Sequence, residues 1–205
     1  MLSPTKHVHF RDHVFVVDEN VYEPAEDSIF LAENLDVTKG EAVLDMGTGC
    51  GILAVLAAEK ADSVLAVDVN PYALRCAREN AVLHDTRSKM SFLQGDLFTP
   101  LTDKARFDVI LFNAPYLPSA EDEGDSWLER AWAGGVSGRE IIDRFIQQLP
   151  AHLTPSGRAF LLQSNIAGLD ETMSRFSLCG LSARVVAERV LPFFETLFLL
   201  EARIR

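Results

Sequence analysis

Phe107-Asp108-Val109-Ile110-Leu111-Phe112-Asn113-Ala114-Pro115-Tyr116 is an apolar run that stops abruptly at a carboxamide, a proline and an aromatic ring. A short, almost unbroken apolar run of this kind is the pattern of a parallel strand buried on both faces. In open α/β sheets, ligands sit outside the carboxyl ends of such strands. The run therefore predicts a planar hydrogen-bonding group, Asn113, and a stacking surface, Tyr116, at the mouth of a site. That pair suits a flat neutral amide or an exocyclic amine. The same four residues fit equally well a plain turn in which Asn113 caps and Tyr116 packs. On their own they do not separate the two.

On either side of this run, strand-like and helix-like segments alternate, which is the signature of a parallel sheet covered on both faces. Strands are expected over 41–46, 63–67, 90–93, 107–112 and 158–163, with helices over 51–60, 71–84, 139–149 and 169–176. The last helix but one shows apolar residues at 141, 142, 145, 146 and 149, a helical period. Around Pro192, segments 185–190 and 196–201 read as a closing antiparallel hairpin. The expected fold is α/β: a seven-stranded, mostly parallel, doubly wound, Rossmann-like sheet. Residues 1–28 form a less regular N-terminal segment or lid, and 29–205 a single domain. Histidines stand at alternate positions in His7-Val8-His9, with His13 further on; a His-x-His pair could bind metal, but no third ligand of suitable spacing is near, and the segment reads as the polar face of a small strand.

Three of the expected strands end in an acid. The first ends Asp45-Met46-Gly47-Thr48-Gly49-Cys50-Gly51, where glycines let the backbone turn tightly against a ligand. A dinucleotide loop needs glycine or alanine where Ile52 stands, and Asp45 would repel a pyrophosphate. The loop instead suits a ligand with a positive centre and no phosphate, and S-adenosylmethionine is such a ligand. The second strand ends at Asp68, placed to accept bonds from two ribose hydroxyls. Asn70, directly before Pro71, is the better helix cap, which leaves Asp68 for ligand. The third ends Gly95-Asp96-Leu97-Phe98, an acid for an adenine amino group with an apolar residue against the ring.

Composition narrows the partners. The chain has 205 residues with formal net charge −11, whereas a protein gripping nucleic acid unaided normally carries a basic face. No apolar run approaches the roughly 18–20 residues of a membrane span. The three cysteines are odd in number and set in apolar surroundings, which points to reduced thiols and a cytoplasmic setting.

Glycine loop, ribose acid, adenine acid and Asn-x-Pro-Tyr, in that order, resemble the class I S-adenosylmethionine-dependent methyltransferases. Within them they resemble the HemK/PrmC family of release-factor glutamine methyltransferases. Val21-Tyr22-Glu23-Pro24-Ala25-Glu26-Asp27-Ser28 is similar to the N-terminal signature of that family's archaeal and eukaryotic branch, where threonine usually replaces Ser28. Ala131-Trp132-Ala133-Gly134-Gly135, with Gly138-Arg139-Glu140 and Asp143-Arg144-Phe145, is similar to a segment the same branch carries further on. The resemblance covers residues 21 to 163. It implies cofactor contacts from Ser28, Asp45, Gly47, Gly49, Asp68, Asp96, Leu97 and Asn113. It also implies a catalytic Asn113-Ala114-Pro115-Tyr116, with Asn113 and Tyr116 on the substrate amide. Ala114 stands where the family has proline; the role of that position lies in its carbonyl oxygen, which alanine also supplies.

The reaction so implied is N5-methylation of the glutamine in the Gly-Gly-Gln motif of a class 1 translation release factor, with no catalytic histidine, cysteine or metal. Methylation of an exocyclic amine of RNA or DNA, methylation of protein lysine, and a catalytically dead cofactor-binding scaffold are the alternatives. The acidic run Glu121-Asp122-Glu123-Gly124-Asp125 is a solvated loop or a lure for a basic protein substrate. Met90 to Leu93 is expected at a sheet edge, which needs cover. The branch resembled works with a small zinc-binding activator protein, a candidate for that cover.

Overall fold

The computed structural model describes residues 6–120 and 126–205, so the acidic run 121–125 lies outside the described residues. The elements in chain order are β1 (Lys6–Phe10), β2 (His13–Val17), α1 (Glu26–Glu33), β3 (Ala42–Met46), α2 (Ile52–Ala58), β4 (Ser63–Asp68), α3 (Pro71–Leu83) and β5 (Met90–Gln94). They continue with β6 (Phe107–Asn113), α4 (Trp127–Arg130), α5 (Glu140–Gln148), β7 (Leu153–Ser164), α6 (Leu169–Leu178), β8 (Leu181–Val190) and β9 (Thr196–Ile204). Seven strands form one sheet in the order β5-β4-β3-β6-β7-β9-β8, and β1 and β2 form a separate hairpin. The expected mostly parallel sheet with an antiparallel closing pair is what the chain adopts. By contact the chain divides into two compact units, Met1–Pro100 and Leu101–Arg205. Among the described residues no helix is long and apolar enough to cross a membrane.

In the first unit, β3, β4 and β5 run parallel, so their carboxyl ends lie side by side: Met46 faces Val67, and Asp68 faces Gln94. Helix α2 is buried along its whole length. It begins at Gly51, whose φ of +87° and position leave no room for a side chain: an added Cβ would lie 2.8 Å from Ala77 Cβ in α3. Glycine there lets the two helices approach closely. Asn70 caps α3 by accepting from the Tyr72 N–H at 2.9 Å, with Pro71 in the first turn, as expected.

The N-terminal histidines lie on a hairpin rather than on a lone strand. Val8 and Phe10 point inward while His7 and His9 are exposed. The hairpin is pinned by fully buried Asn80 of α3. Its Oδ1 accepts from the Val16 N–H at 2.9 Å, and its Nδ2 donates to the carbonyls of Val16 and Cys50, each at 2.8 Å. One amide thus ties the hairpin, α3 and the glycine loop together.

The last strand of this unit, β5, ends the sheet, as the sequence leads one to expect. Met90 is buried, while Phe92 and Leu93 are half-buried. The guanidinium groups of Arg78 and Arg87 each lie 5.3 Å from the Phe92 ring centre.

In the second unit β6 pairs parallel with β7, so that Asn113 faces Leu162. Strand β9 returns antiparallel to β7, and β8 pairs only with β9 among the described strands. Ile110, Leu111, Ile142, Phe145, Ile146 and Phe176 are fully buried, and the Phe112 and Phe145 rings lie 4.7 Å apart. Side chains of this size contribute roughly 1.5–3 kcal/mol each on burial, which holds α5 and α6 to the sheet.

Candidate active site

The first unit collects acids at three adjacent strand ends. Asp45 is the last residue but one of β3 and is almost wholly buried. Its Oδ2 accepts from the Thr48 hydroxyl at 2.7 Å, and its Oδ1 is buried without a hydrogen-bond partner. Burial pushes the carboxyl up to about 7; the Thr48 bond opposes this and the neighbouring Asp68 adds to it. Gly47 and Gly49 both hold positive φ (+66° and +55°), and the Thr48 N–H reaches across to the Val67 carbonyl at 3.0 Å. The loop thereby wraps the end of β4.

Asp68 is the hub of that wrap. Its Oδ2 accepts from the Gly49 N–H and its Oδ1 from the Asn70 N–H, each at 2.9 Å. Burial raises this carboxyl as well, against the lowering effect of those two N–H bonds. Each oxygen keeps a second lone pair for an incoming hydroxyl. The Gly95 N–H donates to the Asp68 carbonyl at 3.0 Å, which sets the β5 turn beside it. In that turn Asp96 is exposed, Leu97 takes a positive φ of 49°, and Leu97 and Phe98 are buried. The structure therefore brings Asp45, Gly47, Gly49, Asp68, Asp96 and Leu97 to one end of three neighbouring strands. Ser28 sits buried on α1, a helix that packs against α2, with its N–H and hydroxyl directed to Asp27 Oδ1.

Two neighbouring carboxyls, Asp45 buried with an unsatisfied oxygen and Asp68 half-buried, disfavour an anion and favour a cation. A ligand bearing an ammonium and a sulfonium would relieve the desolvation that now raises Asp45. The folded-state pKa lies above the value of 3.8 normal for this group, so proton binding favours the apo fold. That contribution is complete below pH 3.8 and is lost as the pH rises through about 7. A cationic ligand needs the ionised form, so its affinity rises over the same range. S-adenosylmethionine should bind roughly tenfold more weakly at pH 6 than at pH 8 by titration calorimetry, and Asp45→Asn should flatten the difference.

In the second unit, Asn113 ends β6 half-buried, and Ala114 is buried with its N–H directed to the Leu162 carbonyl at 3.4 Å. Pro115 and Tyr116 continue into a half-buried loop. This loop has a buttress that the sequence resemblance flagged without explaining. The Leu117 N–H donates to the Trp132 carbonyl (3.1 Å), Gly134 to Leu117 (2.8 Å) and Ser119 to Gly135 (3.0 Å). Gly138, at φ +72°, lies so close that a Cβ would sit 2.5 Å from the Tyr116 carbonyl oxygen. Behind it, Arg139 fixes the start of α5 to the turn before α6. It donates to the carbonyls of Ala167 and Gly168, to the Thr172 hydroxyl, and to Asp143.

Gly138→Ala should therefore displace Tyr116 and its neighbours by a fraction of an ångström or more. Expected is a fall in kcat of about 10- to 100-fold with little change in cofactor affinity. Val136→Ala, at an exposed position two residues away, should leave kcat unchanged in the same assay.

Residues 14–129 match the family model described as methyltransferase small domain. The chain belongs to the methyltransferase small domain family. A Methanocaldococcus jannaschii methyltransferase, named provisionally a protein N5-glutamine methyltransferase, is 46% identical over 85% of this chain and 88% of its own length. Human methyltransferase HEMK2 is 30% identical over 83% of this chain and 84% of its own. Among solved structures, the E. cuniculi Mtq2–Trm112 complex, described as responsible for methylating the eRF1 translation termination factor, aligns with TM-score 0.70 and 26% identity. That alignment covers 91% of this chain and 99% of the matched one. The chain is thus an S-adenosylmethionine-dependent methyltransferase of the HemK type, and the paired, desolvated carboxyls at the strand ends fit that cofactor.

Proposed function

We propose that this methyltransferase transfers a methyl group to the side-chain nitrogen of the glutamine in the Gly-Gly-Gln motif of a class 1 translation release factor. The observation that carries the reading is Asn113-Ala114-Pro115-Tyr116 at the carboxyl end of a buried parallel strand, in a chain whose relatives carry protein-glutamine methyltransferase names. Asp45, Gly47, Gly49, Asp68, Asp96, Leu97 and Ser28 hold the cofactor, with Asp68 on the ribose and Asp96 on the adenine. Residues 1–28 act as a cover for it. Bound S-adenosylmethionine supplies a methyl group on a positively charged sulfur, which leaves without help from an acid.

The chain's own part is to present the amide. An amide nitrogen is a poor nucleophile because its lone pair is delocalised into the carbonyl. Asn113 Oδ1 and the Ala114 carbonyl accept its two N–H bonds and fix the direction in which the nitrogen faces. Alignment of this kind is worth up to roughly 7–11 kcal/mol in model systems. The same two carbonyl dipoles stabilise positive charge as it develops on nitrogen. Tyr116 stacks on the amide plane. Once the new C–N bond has formed, the nitrogen sheds one proton to solvent and returns to a neutral secondary amide.

The proposed substrate acts in translation and so places the reaction in the cytoplasm. A small zinc-binding partner covers the β5 edge; the half-buried Phe92 and Leu93 there support this, as does the Mtq2–Trm112 pairing of a similar protein. The test is mass spectrometry of the Gly-Gly-Gln peptide after incubating release factor, cofactor and this protein, with that partner present. A gain of one methyl on the glutamine is expected. Transfer to RNA, DNA or lysine instead would refute the assignment.

A further inference from the structure

Among the described residues, the two most exposed large apolar side chains stand next to each other. Phe193 and Phe194 are 97% and 95% exposed, at the tip of the β8–β9 hairpin. Val190, 75% exposed, ends β8 just before the turn, and Ile166, 47% exposed, follows Asn165, which binds the turn. Ordinary soluble surfaces scatter single apolar residues, whereas a contiguous cluster marks a contact site.

The tip is also held in place. Phe193 and Phe194 both take the left-handed conformation, with φ of 63° and 66°. Bulky residues rarely adopt it, and when they do it clusters at ligand clamps and switches. Asn165 secures the turn from the end of β7. Its Nδ2 donates to the Phe194 carbonyl at 3.3 Å and its Oδ1 accepts from the Thr196 N–H at 2.9 Å. A pair of aromatic rings on a fixed turn loses little freedom on binding, which is what a binding anchor needs.

The position names the occupant. Asn113 is level with Leu162 of β7, and two residues further along β7, Ser164 is level with Leu197 of β9. Phe193 and Phe194 therefore rise beyond the same sheet end that carries Asn113, displaced sideways by two strand spacings, roughly 10 Å. A single amide or nucleoside seated at Asn113 would not reach that far. A folded protein presenting its glutamine on a loop would.

We infer that Phe193 and Phe194 form a docking anchor for the protein substrate, gripping an apolar patch on the release factor beside its Gly-Gly-Gln loop. The inference rests on the function proposed above. The charges nearest the tip agree with it: Glu188 is exposed and Glu195 half-buried, against one half-buried arginine, Arg189, while Arg184 and Arg203 lie further down the hairpin and pair with Glu201. That rim suits an apolar surface with basic neighbours.

The experiment compares wild type with a Phe193→Asn, Phe194→Asn double variant. Asparagine tolerates the left-handed conformation, so the turn keeps its shape while losing both rings. Binding of intact release factor is measured by calorimetry without turnover. Methyl transfer is measured on intact factor and on a short Gly-Gly-Gln peptide. Expected is a loss of factor affinity and a rise in KM of about 30-fold or more, the scale of interface hot spots. The peptide kinetics and melting temperature should stay as in wild type. Unchanged affinity for the intact factor would overturn the inference, as would an equal loss on factor and peptide. A change from dimer to monomer by light scattering with factor affinity intact would also overturn it, assigning the patch to a second copy. If wild type binds the factor through these rings without methylating it, the docking surface stands and the assigned reaction fails.

Discussion

Asn113→Ala is expected to lower kcat for glutamine methylation by about a thousandfold or more, while S-adenosylmethionine still binds measurably. The size follows from what the side chain does. Removing one preorganised hydrogen-bonding group that meets developing charge costs about 100- to 1000-fold in other enzymes. In the proposed reaction Oδ1 has a second duty, fixing the direction in which a poor nucleophile faces. Asn113 sits at the end of β6 in register with Leu162, inside a sheet rather than on a loop, so no neighbour can swing in to replace it. Asn113→Asp separates the two duties. It retains an acceptor oxygen but brings a charge into a half-buried position, so partial activity that falls with rising pH is expected. Single-turnover measurements at saturating cofactor would check both variants, and near-wild-type turnover by the alanine variant would remove Asn113 from the chemistry.

Asp68→Ala should raise the Kd for S-adenosylmethionine by two orders of magnitude or more. A carboxylate accepting from two ribose hydroxyls makes two charge-assisted hydrogen bonds, each worth about 1.5–3 kcal/mol. The same carboxylate also receives the Gly49 and Asn70 N–H groups. Its removal leaves those donors unsatisfied and loosens the glycine loop as well. Asp68→Asn keeps one acceptor oxygen and should fall between the two. Because burial raises the Asp68 carboxyl, its loss should not destabilise the apo protein as much as the binding defect suggests. Calorimetric titration with thermal melting of the apo forms separates the two effects. Equal losses in stability and in affinity would argue for a structural role only.

Most of the fold was legible because the parallel strands are short apolar runs with a polar residue at or next to the end: Asp68 and Asn113 close their strands, and Asp45 is the last residue but one of β3. Those strand ends also carry the candidate site residues, so fold and candidate residues were read from the same positions. Helix α1 was not legible. It starts at Ala25 without a side-chain cap, and its composition is mixed. Strand β7 begins at Leu153, five residues before the expected start, because Leu153 already pairs with Phe107; Thr154-Pro155-Ser156-Gly157 carries turn chemistry and falls in the register shift before Arg158 pairs with Val109. The N-terminal hairpin turns through Arg11 at φ 51°, with no glycine to announce it.

What supports the site was harder to see. Thr48 stands three residues past Asp45, a spacing that offers its hydroxyl to the carboxyl, but only the loop's backbone decides that it does so. Asn80 looks like any helical asparagine until β2, more than sixty residues away in the chain, supplies the groups it binds. The buttress over 131–138 is built from main-chain groups, which a side-chain pattern does not record.

The antiparallel half of the sheet has its own lesson for assembly. Strand β8 precedes β9 in the chain but touches the sheet only through it. While β9 is undocked, β8 has no ladder to join, so the two zip together first and then dock as a pair, or β9 docks alone and β8 follows. Weakening the bond network around Asn165 would thus delay completion of this half, a defect visible in refolding rates before it shows in a melting curve.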